Sequence, residues 1–479
     1  MIKNFTLAKF LILSITTIIY FYYIFKVGLS GHDSFQYIEW SNKLYETPNL
    51  TFNRVILYIY INIINNLLSW PYYGLGVSNL IAYLISSLFF FKISKKIKLN
   101  EKFIITSFIV FSTSPLILNS FSFNYISNIE TMFFLILLYF SISILVTENK
   151  VKYILHGFFS SLIFFVHEEK IILVLIIYFF LFIYKKKKIN LIYSLTVFLV
   201  LNLIIFLFFY NYISFYNYLR VANSVSDKIN DISIFSNFIS NLIYSFKINF
   251  GYLYNFILPI FILIFFSNNK IDDFLKMILF IAIAYLFVIS LLIKDNESLS
   301  RTYGVVFVSF NFLIFKFIQE NIKKLIFHKY ILYLSVLLIV PIIYNFYEVI
   351  YKKNINNLYL TSFNFIKKNF DKDKVYVLEL PSFEDRRDMW NENQIYGYGL
   401  SSVSYLGKKS INLNSLKFKT NLTDEKMQFY IINNFDLIIA INKDNISHSE
   451  KKILDLIRGN VEKWRVHQVN SDLIIYEKI

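Results

Sequence analysis

The chain has 479 residues, of which 56% are hydrophobic, 20% aromatic and 17% charged, and its mean hydropathy is +0.52. Folded soluble proteins keep a polar exterior with about 25% charged residues, so this composition excludes an ordinary soluble enzyme and a disordered chain. With no cysteine, it also excludes a disulfide scaffold. The net charge of +16 is assigned to loop lysines that meet anionic lipid, and not to nucleic-acid binding.

The apolar segments predict an α-helical polytopic membrane protein of about eleven transmembrane helices, since a spanning helix needs about 20 apolar residues. The segments lie at about Phe10–Leu29, Leu75–Phe91, Phe103–Phe121, Ile129–Val146, Tyr153–Val166, Ile171–Tyr184, Leu191–Ile213, Tyr252–Phe266, Phe274–Ile293, Tyr303–Ile318 and Ile331–Ile350. Lysines concentrate in alternate loops, most densely at Lys185–Lys188. The positive-inside rule therefore predicts a multi-pass membrane protein with a cytoplasmic N-terminus.

Between the first two spans, residues 31–68 are predicted to form interfacial helices. Asp33, Tyr37 and Trp40 are spaced i, i+4, i+7 and so share one helix face, and Val55 begins an apolar run of about 14 residues, too short to span easily. Two structural alternatives stay open: Asp33 is a helix N-cap, and Arg54 reaches lipid headgroups.

The tail, residues 352–479, is predicted to be a small extracytoplasmic α/β domain, distinct from the transmembrane domain of residues 1–351. Short apolar runs predict strands at 374–380 and 435–440, and a capping-box pattern at Ser447 and Glu450 precedes a predicted helix at 452–458. Segments 464–469 and 473–476 flank Asn470-Ser471-Asp472, which favours a hairpin.

Ionisable side chains cluster on the predicted outer side. Placing a charge in or beside a membrane costs free energy, so such residues are candidates for a functional role. Glu130 begins the fourth predicted span, and the turn His167-Glu168-Glu169-Lys170 separates the short fifth and sixth spans. Later outer loops carry Arg220 and Arg301. The alternatives are that the helix dipole alone explains Glu130 and that the charged turn is merely solvated.

The order of these parts resembles the GT-C superfamily of membrane glycosyltransferases. Asp33-Ser-Phe-Gln-Tyr37 follows the first helix, Arg54-Val-Ile-Leu-Tyr58 precedes the second span, and Arg301-Thr302-Tyr303 precedes a late helix. The likeness is to the bacterial branch that includes relatives of protein O-mannosyltransferases and the lipid A aminoarabinose transferase.

The resemblance implies a hexosyl- or pentosyltransferase that moves a sugar from a polyprenyl-phosphate donor to an extracytoplasmic lipid, glycan or protein acceptor. It also implies a location in the bacterial inner (plasma) membrane. It assigns the general base to Asp33. Glu130 is the second catalytic candidate, and with Glu168 and Glu169 it could hold a metal or orient the acceptor. The donor phosphate is assigned to the basic residues Arg54, Lys170, Arg220 and Arg301. Acceptor binding or orientation is assigned to Tyr37, His167, Glu168 and Glu169. No metal ligand is assigned; a divalent metal stays open, although the lack of an Asp-x-Asp pair favours metal independence.

Two other functions stay open. A polysaccharide polymerase of the O-antigen type would place key arginines in long outer loops, but the largest such loop, at about Ser214–Phe250, has few. A transporter or flippase would show inverted repeats and mid-membrane charges, whereas the charges here lie at one face.

Overall fold

In this computed structural model, the described residues cover most of the helical part and the core of the tail. They are residues 2–27, 37, 41, 54–68, 71–114, 117, 120–121, 126–167, 170–185, 188–210, 238, 240, 272–292, 304–321, 364–371, 375–380, 410–413, 416, 424–441, 448–470 and 473–479.

Ten helices lie in the described part of the first 321 residues. They are α1 (Ile2–Val27), α2 (Val55–Leu68), α3 (Pro71–Lys96), α4 (Glu101–Ser112), α5 (Ser127–Val146), α6 (Lys150–Phe164), α7 (Lys170–Tyr184), α8 (Ile189–Phe208), α9 (Asp273–Leu292) and α10 (Gly304–Asn321). Five of them, α1, α3, α5, α8 and α9, are long and apolar enough to cross a membrane, and α2 and α7 are shorter apolar helices. The chain is therefore a mostly helical membrane protein.

Nine of the predicted spans coincide with these helices, and the predicted spans at Tyr252–Phe266 and Ile331–Ile350 lie outside the described residues. The third span is shorter than predicted, because α4 ends at Ser112. Pro115 follows, and proline disfavours the helical conformation in the residue before it. The predicted break between the fifth and sixth spans is present, because α6 ends at Phe164 and α7 begins at Lys170.

Helix α5 lies at the centre of the bundle, where it packs against α3 and α6 and buries most of its side chains. Helices α1 and α8 instead leave many large apolar side chains exposed, which is typical of helices that face lipid. Helices α6 and α8 approach closely at Gly157, since a Cβ placed there would lie 2.2 Å from the backbone oxygen of Ser194.

The tail contains a five-stranded sheet in the order β2-β1-β3-β5-β4. Its strands are β1 (Val377–Glu379), β2 (Ser410–Asn412), β3 (Leu437–Ile441), β4 (Trp464–Asn470) and β5 (Leu473–Lys478), with helices α11 (Asp424–Asn434) and α12 (His448–Arg458) between them. Strand β1 runs parallel to β2 and β3, and β5 runs antiparallel to β3 and β4.

The sheet contains the predicted strands and the predicted hairpin, and α12 covers the predicted helix at 452–458. Ser447 of the capping-box pattern lies outside the described residues. Strand β2 and helix α11 were not predicted. The extracytoplasmic location of this domain and its boundary at residue 352 stay predictions.

Candidate active site

Three helices of the bundle begin next to one another at a group of buried polar side chains. Arg54 immediately precedes α2, Glu130 lies in the first turn of α5, and Lys170 is the first residue of α7. All three side chains are at least nine-tenths buried. The group therefore sits where three positive helix-dipole ends meet.

Glu130 and Lys170 form the core of this group, which we call the Glu130 cluster (Tyr37, Arg54, Glu130, His167, Lys170 and Tyr285). Lys170 Nζ lies 3.0 Å from Glu130 Oε2 and donates a hydrogen bond of 3.1 Å to the hydroxyl of Tyr285 in α9. His167 Nε2 lies 3.9 Å from Glu130 Oε1. Because Lys170 is only 1% exposed, water screens this ion pair little.

Arg54 belongs to the same cluster through its charge and through Tyr37. The guanidinium Nη1 donates a hydrogen bond of 3.0 Å to the Tyr37 hydroxyl, and its positive charge acts on the Glu130 carboxylate. Tyr37 is 6% exposed, so this hydrogen bond is also buried. Tyr37, which precedes α2 in the chain, therefore contributes to the same site as the central helix α5.

Backbone contacts hold the start of α2 against the end of α6. The amide of Ile56 donates a 3.1 Å hydrogen bond to the carbonyl of Phe165, and the buried side chain of Val55 packs against the ring of Phe165. One turn later, the amide of Lys170 donates 2.9 Å to the carbonyl of His167. These contacts fix the backbone at Arg54 and Lys170 relative to the C-terminal end of α6.

Two of the three residues break the usual electrostatic preference of a helix end. An acid such as Glu130 is favoured near a helix N-terminus, but Arg54 and Lys170 are cations at N-termini, where the dipole disfavours them. Violations of a local rule concentrate at functional sites. Arg54 and Lys170 together outweigh the single carboxylate of Glu130 by one positive charge, and helix N-termini are natural anion-binding positions.

The structure brings together five of the residues that the sequence singled out as site candidates, namely Tyr37, Arg54, Glu130, His167 and Lys170. The other five lie outside the described residues, namely Asp33, Glu168, Glu169, Arg220 and Arg301. In the part of the chain that the structure describes, no group of three His, Asp or Glu side chains is arranged to hold a metal ion.

Sequence reasoning missed Tyr285 and Asn128. Tyr285 lies within the apolar helix α9, and nothing in the sequence distinguishes it from tyrosines of other spans. Its role becomes visible only in the folded structure, where its hydroxyl accepts a hydrogen bond from Lys170. Asn128 lies one half-turn before Glu130, is fully buried, and neither polar atom of its amide has a hydrogen-bond partner among the described residues. The available signal in the sequence was an asparagine two residues before an acid at the start of a predicted span. Because buried amides are normally hydrogen-bonded, an asparagine at such a position is a candidate for binding a ligand.

No family model matches the chain, and no curated protein matches its sequence. Solved structures do match. One is ArnT from Cupriavidus metallidurans bound to undecaprenyl phosphate, with a TM-score of 0.63 and 9% identity over 98% of this chain and 97% of that one. Another is the arabinofuranosyltransferase AftD from Mycobacteria, with a TM-score of 0.52 and 9% identity over 97% of this chain and 40% of that one.

The chain therefore has a GT-C-like fold, the class of polytopic membrane fold to which the sequence motifs pointed, and that prediction is confirmed for the fold. The similarity to ArnT extends over 98% of this chain, so it includes the tail as well as the helices.

Proposed function

We propose that this protein is an integral membrane glycosyltransferase. It transfers a sugar from a polyprenyl-phosphate-linked donor to an extracytoplasmic lipid, glycan or protein acceptor. The observation that carries the proposal is the pair of buried cations, Arg54 and Lys170, held at helix N-termini around Glu130. In support, the ArnT structure with the same overall fold is bound to undecaprenyl phosphate.

The chemistry of the cluster suits a phosphate. Arginine presents a planar fork that matches phosphate oxygens, and lysine adds a compact positive charge. The hydroxyls of Tyr37 and Tyr285 add hydrogen-bonding groups next to these cations. In this proposal Glu130 orients Lys170 through their 3.0 Å ion pair, and Arg220 and Arg301 complete the phosphate site.

The reaction needs a base on one side of the anomeric carbon and positive charge on the other. Asp33 accepts the proton of the acceptor hydroxyl as its oxygen attacks the anomeric carbon. The bond between that carbon and the phosphate oxygen breaks, and its electron pair leaves with the polyprenyl phosphate. Arg54 and Lys170 stabilise the negative charge that develops there.

The acceptor and the sugar are assigned to the remaining polar residues. His167, Glu168 and Glu169 orient the acceptor from the turn between α6 and α7. The buried amide of Asn128, which has no hydrogen-bond partner among the described residues, is suited to a sugar hydroxyl because an amide both donates and accepts.

The test is transfer by the purified full-length chain in lipid vesicles. The protein is incubated with a panel of polyprenyl-phosphate sugars and a membrane-lipid extract, and products are identified by mass spectrometry. We expect one donor to be converted to free polyprenyl phosphate with the sugar on an acceptor. Asp33→Asn abolishes transfer while the protein stays folded and inserted, and Arg54→Ala raises the KM for donor more than the KM for acceptor.

The matched control is Lys276→Gln, because Lys276 is an exposed cation on α9 whose salt bridge to Asp273 is also exposed. It should leave both KM values unchanged. Transfer at the wild-type rate by Asp33→Asn would remove the base assignment. An effect of Arg54→Ala on the acceptor KM alone would contradict the phosphate role.

The same assay separates the two rival functions. A polymerase of the O-antigen type would yield ladders of lengthened glycan from a lipid-linked oligosaccharide. A flippase would move the donor between leaflets with no change in its mass. Either result, without transfer of a single sugar, would replace the proposed function.

The proposed orientation has a cytoplasmic N-terminus and an extracytoplasmic tail. The absence of cysteine gives a background-free labelling test. Single cysteines at Asn149, between α5 and α6, and at Glu462 in the tail are exposed to a membrane-impermeant maleimide in intact cells. We expect labelling at Glu462 only, and labelling at Asn149 only would invert the orientation.

A further inference from the structure

An apolar groove opens on the lipid-facing side of the bundle, between α7, α8 and α9. Its volume is about 600 Å³, and its walls include Phe179, Phe182, Ile192, Leu195 and Phe280. Several of these side chains are about half exposed or more, so the groove is open to the membrane. A groove of this kind accepts a flexible hydrocarbon chain.

One end of the groove carries a positive charge. Lys188 lines it at the lysine-rich loop between α7 and α8, with its ammonium 4.4 Å from the centre of the Phe182 ring. Lys188 also occupies the N-cap of the 20-residue helix α8, and no side chain caps that helix end. The N-terminus of α8 and the Lys188 ammonium both favour an anion at this end of the groove. The nearby carboxylate of Glu148 is already held by Lys185 and by the Asn190 amide.

The neighbouring lysine of the same loop is engaged elsewhere. Lys185 is 6% exposed at its side chain, lies 3.1 Å from Glu148 and donates a 2.7 Å hydrogen bond to the carbonyl of Ile144. Lys185 thus fastens the end of α7 to α5. Lys188 differs from it because its side chain is exposed at the mouth of the groove.

We propose that this groove is a binding site for an anionic phospholipid of the leaflet at the lysine-rich boundary. One acyl chain lies between α7, α8 and α9, and the headgroup phosphate contacts Lys188 and the N-terminus of α8. Leu195 lies seven residues along α8 from Lys188, which corresponds to about 10 Å. The groove therefore extends about a third of the way through a 30 Å hydrocarbon core. This depth is enough to hold part of one acyl chain.

A second groove, on the opposite side of α8, serves as an internal comparison. It has a similar volume of about 530 Å³ and lies between α6 and α8, with Phe158, Thr196 and Val200 in its walls. All of its lining residues are uncharged. The two grooves therefore predict different lipid preferences on two faces of one helix: anionic lipid beside Leu195 and no charge preference beside Thr196.

The test uses tryptophan quenching by brominated lipids. Leu195→Trp and Thr196→Trp place reporters at equal depth in the two grooves, and the unsubstituted chain supplies the background of its four native tryptophans. Each protein is reconstituted in vesicles that mix dibrominated phosphatidylglycerol with phosphatidylcholine, or the reverse. We expect a preference for phosphatidylglycerol of about fivefold at Leu195→Trp and near onefold at Thr196→Trp.

Adding Lys188→Gln to Leu195→Trp should reduce the preference to near onefold, whereas Lys152→Gln on α6 should leave it unchanged. Native mass spectrometry of the chain without introduced tryptophan checks the result independently: Lys188→Gln should lose one retained phosphatidylglycerol molecule. Equal quenching by both lipids at Leu195→Trp, or a preference that survives Lys188→Gln, would overturn the proposal.

Discussion

The ion pair between Glu130 and Lys170 permits a quantitative prediction about the stability of the site. We expect Glu130→Gln and Lys170→Met each to destabilise the protein strongly, and the double variant to cost far less than the sum. Each single change leaves a buried charge without its main partner, whereas the double change replaces a charged pair by neutral side chains of similar size.

The magnitude follows from the geometry. At 3.0 Å and an effective dielectric constant of about 20, the Coulomb attraction is ~5 kcal/mol, and desolvation of both charges offsets part of it. Removing one partner of a buried pair costs about 3–5 kcal/mol. If the double variant, which holds two neutral side chains, costs about 1–3 kcal/mol, the coupling energy in a double-mutant cycle should be about 5 kcal/mol, close to the Coulomb attraction.

The assay is reversible unfolding of the full chain in mixed detergent micelles, followed by far-UV circular dichroism. The control cycle uses Asp273→Asn and Lys276→Met on α9, a pair with a similar separation of 3.2 Å but with both side chains exposed. Exposed pairs contribute about 0–1 kcal/mol, so its coupling should be small. Additive effects at Glu130 and Lys170, equal to those of the control, would refute the view that their ion pair organises the site.

Three further predictions use the same unfolding assay. Gly157→Ala should cost about 1–3 kcal/mol, because its Cβ would meet the rigid backbone of α8. Gly76→Ala should cost less, because its Cβ would meet side-chain atoms of Ile24 at longer distances, and the reverse order would contradict the close packing at Gly157. Asn128→Leu should leave stability unchanged or raise it by about 1–3 kcal/mol while lowering sugar transfer, whereas a loss of stability would indicate a structural role. In the tail, Ile475→Ala should cost about 2–5 kcal/mol and Val466→Ala little, because Ile475 is fully buried and Val466 is half exposed; equal costs would place the sheet core elsewhere.

Length and periodicity were sufficient to predict most of the bundle. The 14-residue apolar run at Val55–Leu68 forms a separate helix. It is shorter than the stretch of about 20 residues that crosses a membrane, and it is too apolar for a loop. Helix α6 ends at Phe164 and α7 begins at Lys170, because the four consecutive polar residues at 167–170 are costly in the middle of one span. In the tail, Asn470-Ser471-Asp472 between two β-rich runs predicted the hairpin of β4 and β5.

The remaining features depend on contacts between residues far apart in sequence. The three-residue strand β2 has no periodicity of its own and is defined by its pairing with β1. The ring of His156 in α6 bridges the hydroxyls of Ser141 in α5 and Ser194 in α8, at 3.0 and 2.8 Å. No local pattern encodes such a bridge, because its three residues lie on three helices.

The Glu130 cluster illustrates how much of a site can be inferred from the free-energy cost of burying ionisable side chains. Buried ionisable residues are expensive in a membrane protein, so their sequence positions identified Glu130 and Lys170 before any contact was known. This criterion does not identify a residue such as Tyr285, which is neutral and carries little cost of burial. Its hydroxyl belongs to the site because it accepts a 3.1 Å hydrogen bond from Lys170. Nor does this criterion reveal that Arg54 and Lys170 both lie at helix N-termini, which is the feature that favours an anion at this position. That preference depends on the joint placement of two side chains and three helix ends, and only the fold brings these together.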